Sequence, residues 1–304
     1  MIPDDRGALL LLVGGILLAG LLGVTVGERA QKRPLGSTTL FVRWRTWAVI
    51  APVSLLAAWT TLTTAVFVAA LSAQATREYT RLAGVRGMVS WLAVAAAAVT
   101  PAAILVHQVT VAVVAVALLL SAASVAVWRG DAARGQHELL AAVFAWTWIA
   151  LLSGNLVLLR AHEMGGYVVL TALLLGVAMS DVGAFAAGQL LARGRLAEQL
   201  SPLSPSKTRA GVIGNLVGAA LAVALVGLVA PLPVPLWLLA LVPLAIAIGS
   251  VLGDLLESLA KRAADAKDAG DWLPGFGGLL DRVDSLIVAA PLVMGLIGGY
   301  GLVT

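Results

Sequence analysis

Long apolar runs are the feature that most restricts how this chain can fold. Apolar residues make up 60% of the 304 positions and charged residues only 12%, far from the composition of a soluble domain. Each run is close to the roughly 20 residues that an α-helix needs to cross a bilayer, whereas the strands of a membrane barrel are about ten residues long and alternate in character. The sequence therefore predicts an all-α, polytopic integral membrane protein.

Nine such windows predict about nine transmembrane helices. They cover residues 8–27, 46–72, 88–107, 109–128, 138–160, 165–190, 210–230, 233–255 and 284–302. The first window lacks a multiply basic segment ahead of it and a small-residue cleavage site after it, so we interpret it as a retained helix. Cysteine is absent, which excludes disulfides, thiolate metal sites and a cysteine nucleophile. No basic stripe alternates with aromatic residues, so nucleic acid is not an expected partner.

The distribution of basic residues predicts which face of the protein is cytoplasmic. Nine spans would place the N-terminus and the loops around 73–87, 129–137, 191–209 and 256–282 on one face, which would carry 14 of the 20 Lys and Arg. We expect that face to be the cytoplasmic side of the inner membrane. The five basic residues between 29 and 45 would then lie outside. Either the first two spans are misplaced, or residues 37–46 form an interfacial segment with basic side chains reaching the surface.

Polar residues inside or beside the apolar runs are concentrated in the second half of the chain. We find no internal repeat and no long linker, which predicts a single membrane domain over residues 1–304. Within it, residues 1–163 are expected to be scaffold helices and residues 164–304 the catalytic half. Charged groups at membrane depth are costly unless they face a polar cavity, a partner or an ion. Their concentration in the second half therefore indicates a functional site.

The densest acidic segment lies between the last two apolar runs. Asp254, Ser258, Lys261 and Asp265 are spaced i, i+4, i+7 and i+11, which would place them on one face of a continuous helix. Asp281 and Asp284, three residues apart, would share a face at the start of the last helix. Clustered carboxylates repel one another unless a cation lies among them, and magnesium is usually held by one or two carboxylates together with substrate phosphates.

A glycine-rich stretch, Pro274–Gly278, comes directly before the last predicted helix. Glycine lets a backbone approach a ligand closely, and a helix N-terminus offers free N–H groups to an anion. This arrangement is typical of a phosphate-binding loop. The alternative is an ordinary solvated loop with juxtamembrane charges and internal ion pairs.

A second group of polar residues lies in the sixth predicted helix and just before the seventh. Asp181 lies inside an apolar run, and Gly183 and Gly188 would allow close helix packing, so this carboxylate could equally be paired within the bundle. Ser204–Thr208 offers hydroxyls and an ammonium group just before a helix. These residues could bind phosphate, or they could only cap the helix.

The pattern S-x-x-K-R-x4-K-D-x-G-x3-P-G-x-G-G-x-x-D-R-x-D runs from Ser258 to Asp284. It closely resembles the C-terminal signature of phosphatidate cytidylyltransferases, also called CDP-diacylglycerol synthases. Upstream, an Asp-x-Gly-Ala-aromatic stretch at 181–185 and Ser-Pro-x-Lys-Thr at 204–208 are also similar to that family's pattern. The first 160 residues resemble the family only in being hydrophobic.

The resemblance implies transfer of a cytidylyl group from CTP to phosphatidate with release of pyrophosphate, in the presence of Mg²⁺. The metal positions it implies are Asp254, Asp281, Asp284 and Asp181, and the catalytic positions are Lys261, Asp281, Asp284 and Arg282. The substrate-binding positions are Ser204, Lys207, Thr208, Ser258, Lys267, Asp268, Gly275, Gly277 and Gly278. Expected partners are CTP, phosphatidate or a related phospholipid, the lipid bilayer and, as a further candidate, a second copy of the chain.

Two positions depart from the family's usual pattern. Phe276 stands where the family usually has His between the glycines, and Ala210 stands where it usually has Glu. A noncatalytic or divergent relative that binds nucleotide or another lipid phosphate is therefore an alternative. An ion-coupled transporter is another, because intramembrane carboxylates beside broken helices also build ion pathways. A transporter would need polar residues along both halves of its path, and residues 1–160 offer almost none.

Overall fold

The computed structural model describes residues 6–30, 32, 34, 36, 38–163, 165–230, 234–270 and 277–301. The helices are α1 Arg6–Ala30, α2 Thr39–Ala57, α3 Thr61–Leu82, α4 Met88–Val106, α5 Gln108–Arg129, α6 Ala132–Ala145, a π-helix Trp146–Leu151, α7 Asn155–Ala161, α8 Gly166–Leu190, a 3₁₀ turn Gly194–Ala197, α9 Arg209–Val229, α10 Leu236–Ala263 and α11 Leu280–Gly301. One short antiparallel hairpin, β1 Gln199–Ser201 with β2 Ser204–Thr208, joins α8 to α9.

The predicted all-α membrane fold is confirmed, apart from that hairpin. Seven helical stretches among the described residues are long and apolar enough to cross a membrane, with Ala132–Ala161 counted as one stretch. The predicted total of about nine crossings is not confirmed, because the described helices include two, α2 and α3, where one span was expected.

The expected single span over 46–72 is wrong. The chain reverses between α2 and α3, where the Thr60 hydroxyl accepts the Thr63 N–H at 3.0 Å and the Thr63 hydroxyl lies 3.0 Å from the Thr60 N–H. This reciprocal capping box starts a new helix. The window from 46 to 72 contains no charged residue, so hydropathy alone joins the two helices into one.

Side-chain contacts fix the direction of the first helices. The Arg6 guanidinium at the start of α1 lies 4.8 Å from the ring centroid of Trp59, just before α3, and 5.4 Å from that of Tyr167 at the start of α8. Near the other end of α1, Glu28 accepts the N–H of Thr38 at 3.0 Å. Helix α2 therefore runs back alongside α1. The predicted position of the N-terminal helix start, on the face that carries most of the basic loops, is wrong.

We call the end of the bundle where α3, α8 and α10 finish and α9 and α11 start the acidic end. Among the Lys and Arg of the described ranges, only Arg6 and Arg160 lie at the opposite end. The conflict over the basic residues between 29 and 45 is resolved in favour of misplaced spans for Arg29, Lys32, Arg43 and Arg45, because α1 finishes and α2 begins at the acidic end. Arg33 lies outside the described residues. Nearly all of the described positive charge thus lies at one end of the protein.

Close helix crossings bring the second half of the chain together. A Cβ on Gly183 in α8 would collide with the Gly214 carbonyl of α9, and one on Gly218 would collide with the Met179 carbonyl. Helices α10 and α11 cross equally closely, since a Cβ on Gly253 would collide with the Asp284 carbonyl. Small residues let backbones approach in this way when lipid provides no hydrophobic driving force.

The expected scaffold half packs directly against the signature helix. Leu71 and Ala75 of α3 and Trp148 of the π-helix share one buried cluster with Leu280 and Val283 of α11. The start of α11 is therefore held from both halves of the chain.

We predict that Gly218→Ala destabilises the protein, because its Cβ would overlap the backbone of α8. Overpacking of this kind costs about 1–3 kcal/mol. The matched control is Gly227→Ala on the same helix, where nothing lies within 4 Å of the added Cβ. Thermal unfolding of both variants in detergent tests this, and equal midpoints would contradict the described crossing.

Candidate active site

Two elements from different parts of the chain meet at the acidic end through an ion pair. Lys207, near the end of β2, pairs with Asp254 in the last third of α10. The Ser285 hydroxyl of α11 lies 3.3 Å from Asp254 Oδ1 and donates to the Ser250 carbonyl at 3.2 Å. The hairpin therefore carries a cation to the place where α10 and α11 cross.

Several carboxylates surround the Lys207 ammonium. Burial lowers the pKa of Lys207, and the charges of Asp181, Asp284 and Glu257 act in the opposite direction. Asp181 in turn lies within electrostatic range of Asp284, Lys207 and Arg282. The structure thus brings together predicted residues from α8, β2, α10 and α11 around one partly desolvated cation.

Lys261 forms a second bridge between α10 and α11. Its ammonium lies 2.5 Å from Glu257 Oε1, one turn earlier, and 3.1 Å from Asp281 Oδ1. The side chains of Glu257 and Asp281 are each only 6% exposed, so the pairing compensates buried charges that would otherwise be costly. Glu257 was absent from the predicted site, although its i, i+4 spacing to Lys261 was visible in the sequence.

Asp281 also holds the described end of the glycine-rich stretch, at Gly277 and Gly278. Its carboxylate accepts the Gly278 N–H at 2.7 Å and the Ala269 N–H at 3.1 Å. Gly277 has φ +80°, and a Cβ there would lie 2.7 Å from Asp281 Oδ2, so both the backbone conformation and the close approach require glycine. Asp268 lies next to Gly277, with its Oδ1 3.6 Å from the same Cβ position.

Glu78, at the end of α3, was missed by the sequence reasoning. Its carboxylate accepts the N–H groups of Leu279 at 3.0 Å and Leu280 at 2.8 Å, and Gln74 donates to it at 3.0 Å. Glu78 is only 3% exposed. No local pattern links it to a helix start 200 residues away.

Three successive N–H groups at the start of α11 are therefore occupied by carboxylates of the protein. Those of Leu279 and Leu280 face Glu78, and that of Gly278 faces Asp281. A helix N-terminus with its donors satisfied in this way has less capacity for an external anion. Phosphate binding at Gly277 and Gly278 stays a prediction, while Gly275 and Phe276 lie outside the described residues.

One element of the predicted acidic stripe is wrong. Helix α10 ends at Ala263, and Asp265 lies in the following turn with φ +50°. The N–H of Ala266 returns to the Lys261 carbonyl at 2.9 Å, which closes the helix before Asp265. Only Asp254, Ser258 and Lys261 remain on the predicted helical stripe.

The remaining predicted residues occupy different positions around this end. The Thr208 hydroxyl accepts the Gly211 N–H at 3.2 Å and so caps α9, as the structural alternative for this segment expected. Ser204 is buried, Ser258 is half-buried and Lys267 is exposed. Arg282 follows Asp281 in the first turn of α11 and acts electrostatically on Asp181.

The donor set agrees with magnesium in chemistry but does not form a complete coordination shell. No group of three or more His, Asp or Glu side chains in the described ranges lies close enough to hold an ion. Asp284 is nevertheless a buried carboxylate and Asp254 a partly buried one, and both lie near the Lys207 ammonium. Because magnesium is commonly held by one or two carboxylates plus waters and substrate phosphates, these residues fit such an ion in the presence of a nucleotide.

Comparison with known proteins identifies a family and several relatives. The chain matches the model of the Cytidylyltransferase family over residues 41–298. It is 40% identical over 114 residues to a phosphatidate cytidylyltransferase of Bacillus subtilis, which covers 38% of this chain and 41% of that protein. The corresponding protein of Synechocystis is 46% identical over 116 residues, covering 38% of each chain.

A phosphatidate cytidylyltransferase of Brucella suis is 43% identical over 141 residues, which covers 46% of this chain and 50% of that protein. The chain thus spans about half or less of the length of the curated relatives it matches. The family match itself includes α3 and all the candidate site residues from Glu78 to Ser285. The resemblance predicted from the signature is confirmed, and the chain belongs to the cytidylyltransferase family.

Proposed function

We propose that this protein transfers the cytidylyl group of CTP to phosphatidate, forming CDP-diacylglycerol and pyrophosphate. Family membership and the names of the relatives support this activity. The observation that carries the proposal is the meeting of Lys207 and Lys261 with the carboxylates of α8, α10 and α11 at one end of a membrane bundle. Such a site suits a substrate that is partly lipid and a second that is highly anionic.

The reaction exchanges one phosphoanhydride bond for another. A phosphate oxygen of phosphatidate attacks the α-phosphorus of CTP, a new P–O bond forms, and the bond from that phosphorus to the oxygen bridging the β-phosphate breaks. Pyrophosphate leaves with that bridging oxygen. Catalysis of phosphoryl-type transfer depends mainly on positioning and on stabilisation of charge, which is the chemistry that paired ammonium and carboxylate groups offer.

Within this proposal the two lysines have different functions. Lys207 is carried by a hairpin outside the spanning helices and is the cation best placed to leave Asp254 for a nucleotide phosphate. Lys261 is held between Glu257 and Asp281 and would neutralise charge from a fixed position. A preorganised charge costs no reorganisation when the reaction occurs.

Asp254 and Asp284 are the residues that would hold Mg²⁺, with Asp181 nearby. When bound, the ion would neutralise phosphate charge and orient the phosphate oxygens of the substrates. Asp281 has three donors of its own, so its proposed contribution is to hold the loop and Lys261 in place.

The acidic end is proposed to face the cytoplasm, where CTP is found. Concentration of the described Lys and Arg at this end supports this orientation under the positive-inside rule. Helix α1 finishes and α2 begins at this same end. The basic residues described there therefore no longer count against the orientation. The homodimer expected from the sequence stays a prediction.

A noncatalytic relative is the second candidate, because Phe276 and Ala210 replace the family's usual His and Glu. Ala210 has no exposed surface in α9, so its place is filled by packing rather than by a polar group. The two candidates differ in one measurable property, the formation of CDP-lipid.

We predict that the purified protein, given radiolabelled CTP, phosphatidate and Mg²⁺, produces labelled CDP-diacylglycerol and that excess EDTA stops the reaction. The carboxylates repel a nucleotide unless a divalent cation offsets their charge. If the wild type is inert and Phe276→His is active, the protein is a disabled relative. Undiminished turnover in EDTA would remove the metal from the proposal.

We predict that Asp284→Asn lowers kcat by on the order of 10²-fold or more, because loss of one preorganised charge in an active site has effects of this size. Asp265→Asn is the matched control, since Asp265 is an exposed acidic residue of the same segment that lies off the helical stripe. The same radiolabel assay measures both. Equal activities would contradict the assignment of Asp284.

We predict that a cysteine at Arg195, at the acidic end, is labelled by an impermeant maleimide only after cells are permeabilised. A cysteine at Glu163, exposed at the opposite end, should be labelled in intact cells. Because the chain has no cysteine, each variant carries a single thiol. The reverse pattern would invert the proposed orientation.

A further inference from the structure

The end of α3 is joined to the start of α11 by one buried carboxylate. Glu78 accepts two successive backbone N–H groups, those of Leu279 and Leu280, at 3.0 and 2.8 Å. Gln74, one turn earlier, donates to the same carboxylate at 3.0 Å. A carboxylate at a helix N-terminus is favoured by the helix dipole and by the free N–H groups there.

Two glycines of the signature make room for this side chain. A Cβ on Gly278 would lie 2.6 Å from Glu78 Oε2, and a Cβ on Gly270 would lie 3.2 Å from its Cδ. A side chain at Gly278 would push Glu78 away from the helix start, and one at Gly270 would crowd it. These two glycines are therefore arranged around a residue from the other half of the chain.

Glu78 and Asp281 divide the donors at this helix start between them. Asp281 takes the Gly278 N–H at 2.7 Å, and Glu78 takes the next two. The orientation of the first turn of α11 determines where Asp281 meets Lys261 and where Asp284 faces Lys207. A displacement of Glu78 would thus be transmitted to both aspartates.

We propose that Glu78 is a positioning residue, whose carboxylate fixes the start of α11 and so places Asp281 and Asp284 for cytidylyl transfer. The inference rests on the proposed function for its effect on turnover. Its structural part, the fixed helix start, stands on the contacts alone. Glu78 contacts backbone rather than reacting atoms, so it acts through the aspartates.

The test uses the full-length protein with Glu78→Gln, which keeps the size of the side chain but removes its charge and one acceptor. We expect kcat to fall by on the order of 10²-fold, since misplacement of catalytic groups by about 1 Å has this effect. KM for CTP should change much less. Glu138→Gln is the matched control, because Glu138 is equally buried and bonds to Arg129 and Arg134 on the same end without contacting the signature.

A second readout does not depend on turnover. Ala269 is buried, and its N–H is held by Asp281, so a cysteine introduced there should react slowly with a maleimide. In the Glu78→Gln background we expect its labelling rate to rise by roughly tenfold, the change that loss of one charged hydrogen bond produces. The Glu138→Gln background should leave the rate as it is.

Gln74→Ala is a milder variant that retains the Glu78 charge, and it decides the question if Glu78→Gln does not fold. It should shift kcat and labelling in the same direction by smaller factors. Unchanged labelling, or faster labelling with unchanged kcat, would overturn the positioning assignment. An inert wild type with faster labelling in Glu78→Gln would refute the proposed function and retain the fixed helix start.

Discussion

The acidic end depends on the hydrogen bonds and the ion pair that compensate the buried charge of the Asp281 carboxylate. Asp281 is almost buried, yet it accepts the N–H groups of Gly278 and Ala269 and lies 3.1 Å from the Lys261 ammonium. These donors come from α10, from the segment after α10 and from the residues before α11. A single charge therefore ties three segments together, and removing any donor would leave a buried carboxylate with an uncompensated cost of desolvation.

The same principle explains why Lys207 pairs with Asp254 at this end. Lys207 and Asp254 belong to elements separated by the whole of α9, and each would be costly alone beside apolar helices. Their ion pair holds the hairpin over the crossing of α10 and α11. Because an ion pair that is partly solvated contributes little net stability, the pair positions the hairpin more than it stabilises the protein.

The sequence predicted which charged residues lie at this end better than it predicted the helix boundaries around them. The length of the apolar runs was sufficient to predict the helical membrane fold. The spacing of polar residues was sufficient to select Asp254, Lys261 and Asp281 as residues of one charged region. The hydropathy pattern missed the chain reversal at Thr60, because the capping box there contains no charged residue. The helical stripe failed at Asp265, because a helix end is set by a local turn that residue spacing does not reveal. Glu78 could not be found, since its partners are fixed only by the packing of α3 against α11.

Close backbone approach connects these observations. Gly253 lies against the Asp284 carbonyl and the Ser285 Cα, and this contact brings the Ser285 hydroxyl to the Asp254 carboxylate. Gly183 and Gly214 allow a similar close approach between α8 and α9. Helix α8 carries Asp181, and α9 begins just after Lys207. Gly253 is thus adjacent in sequence to Asp254, and Gly183 lies two residues after Asp181. A side chain at Gly253 or Gly183 would push apart the helices that carry these charged groups, so site geometry and helix packing are one constraint rather than two.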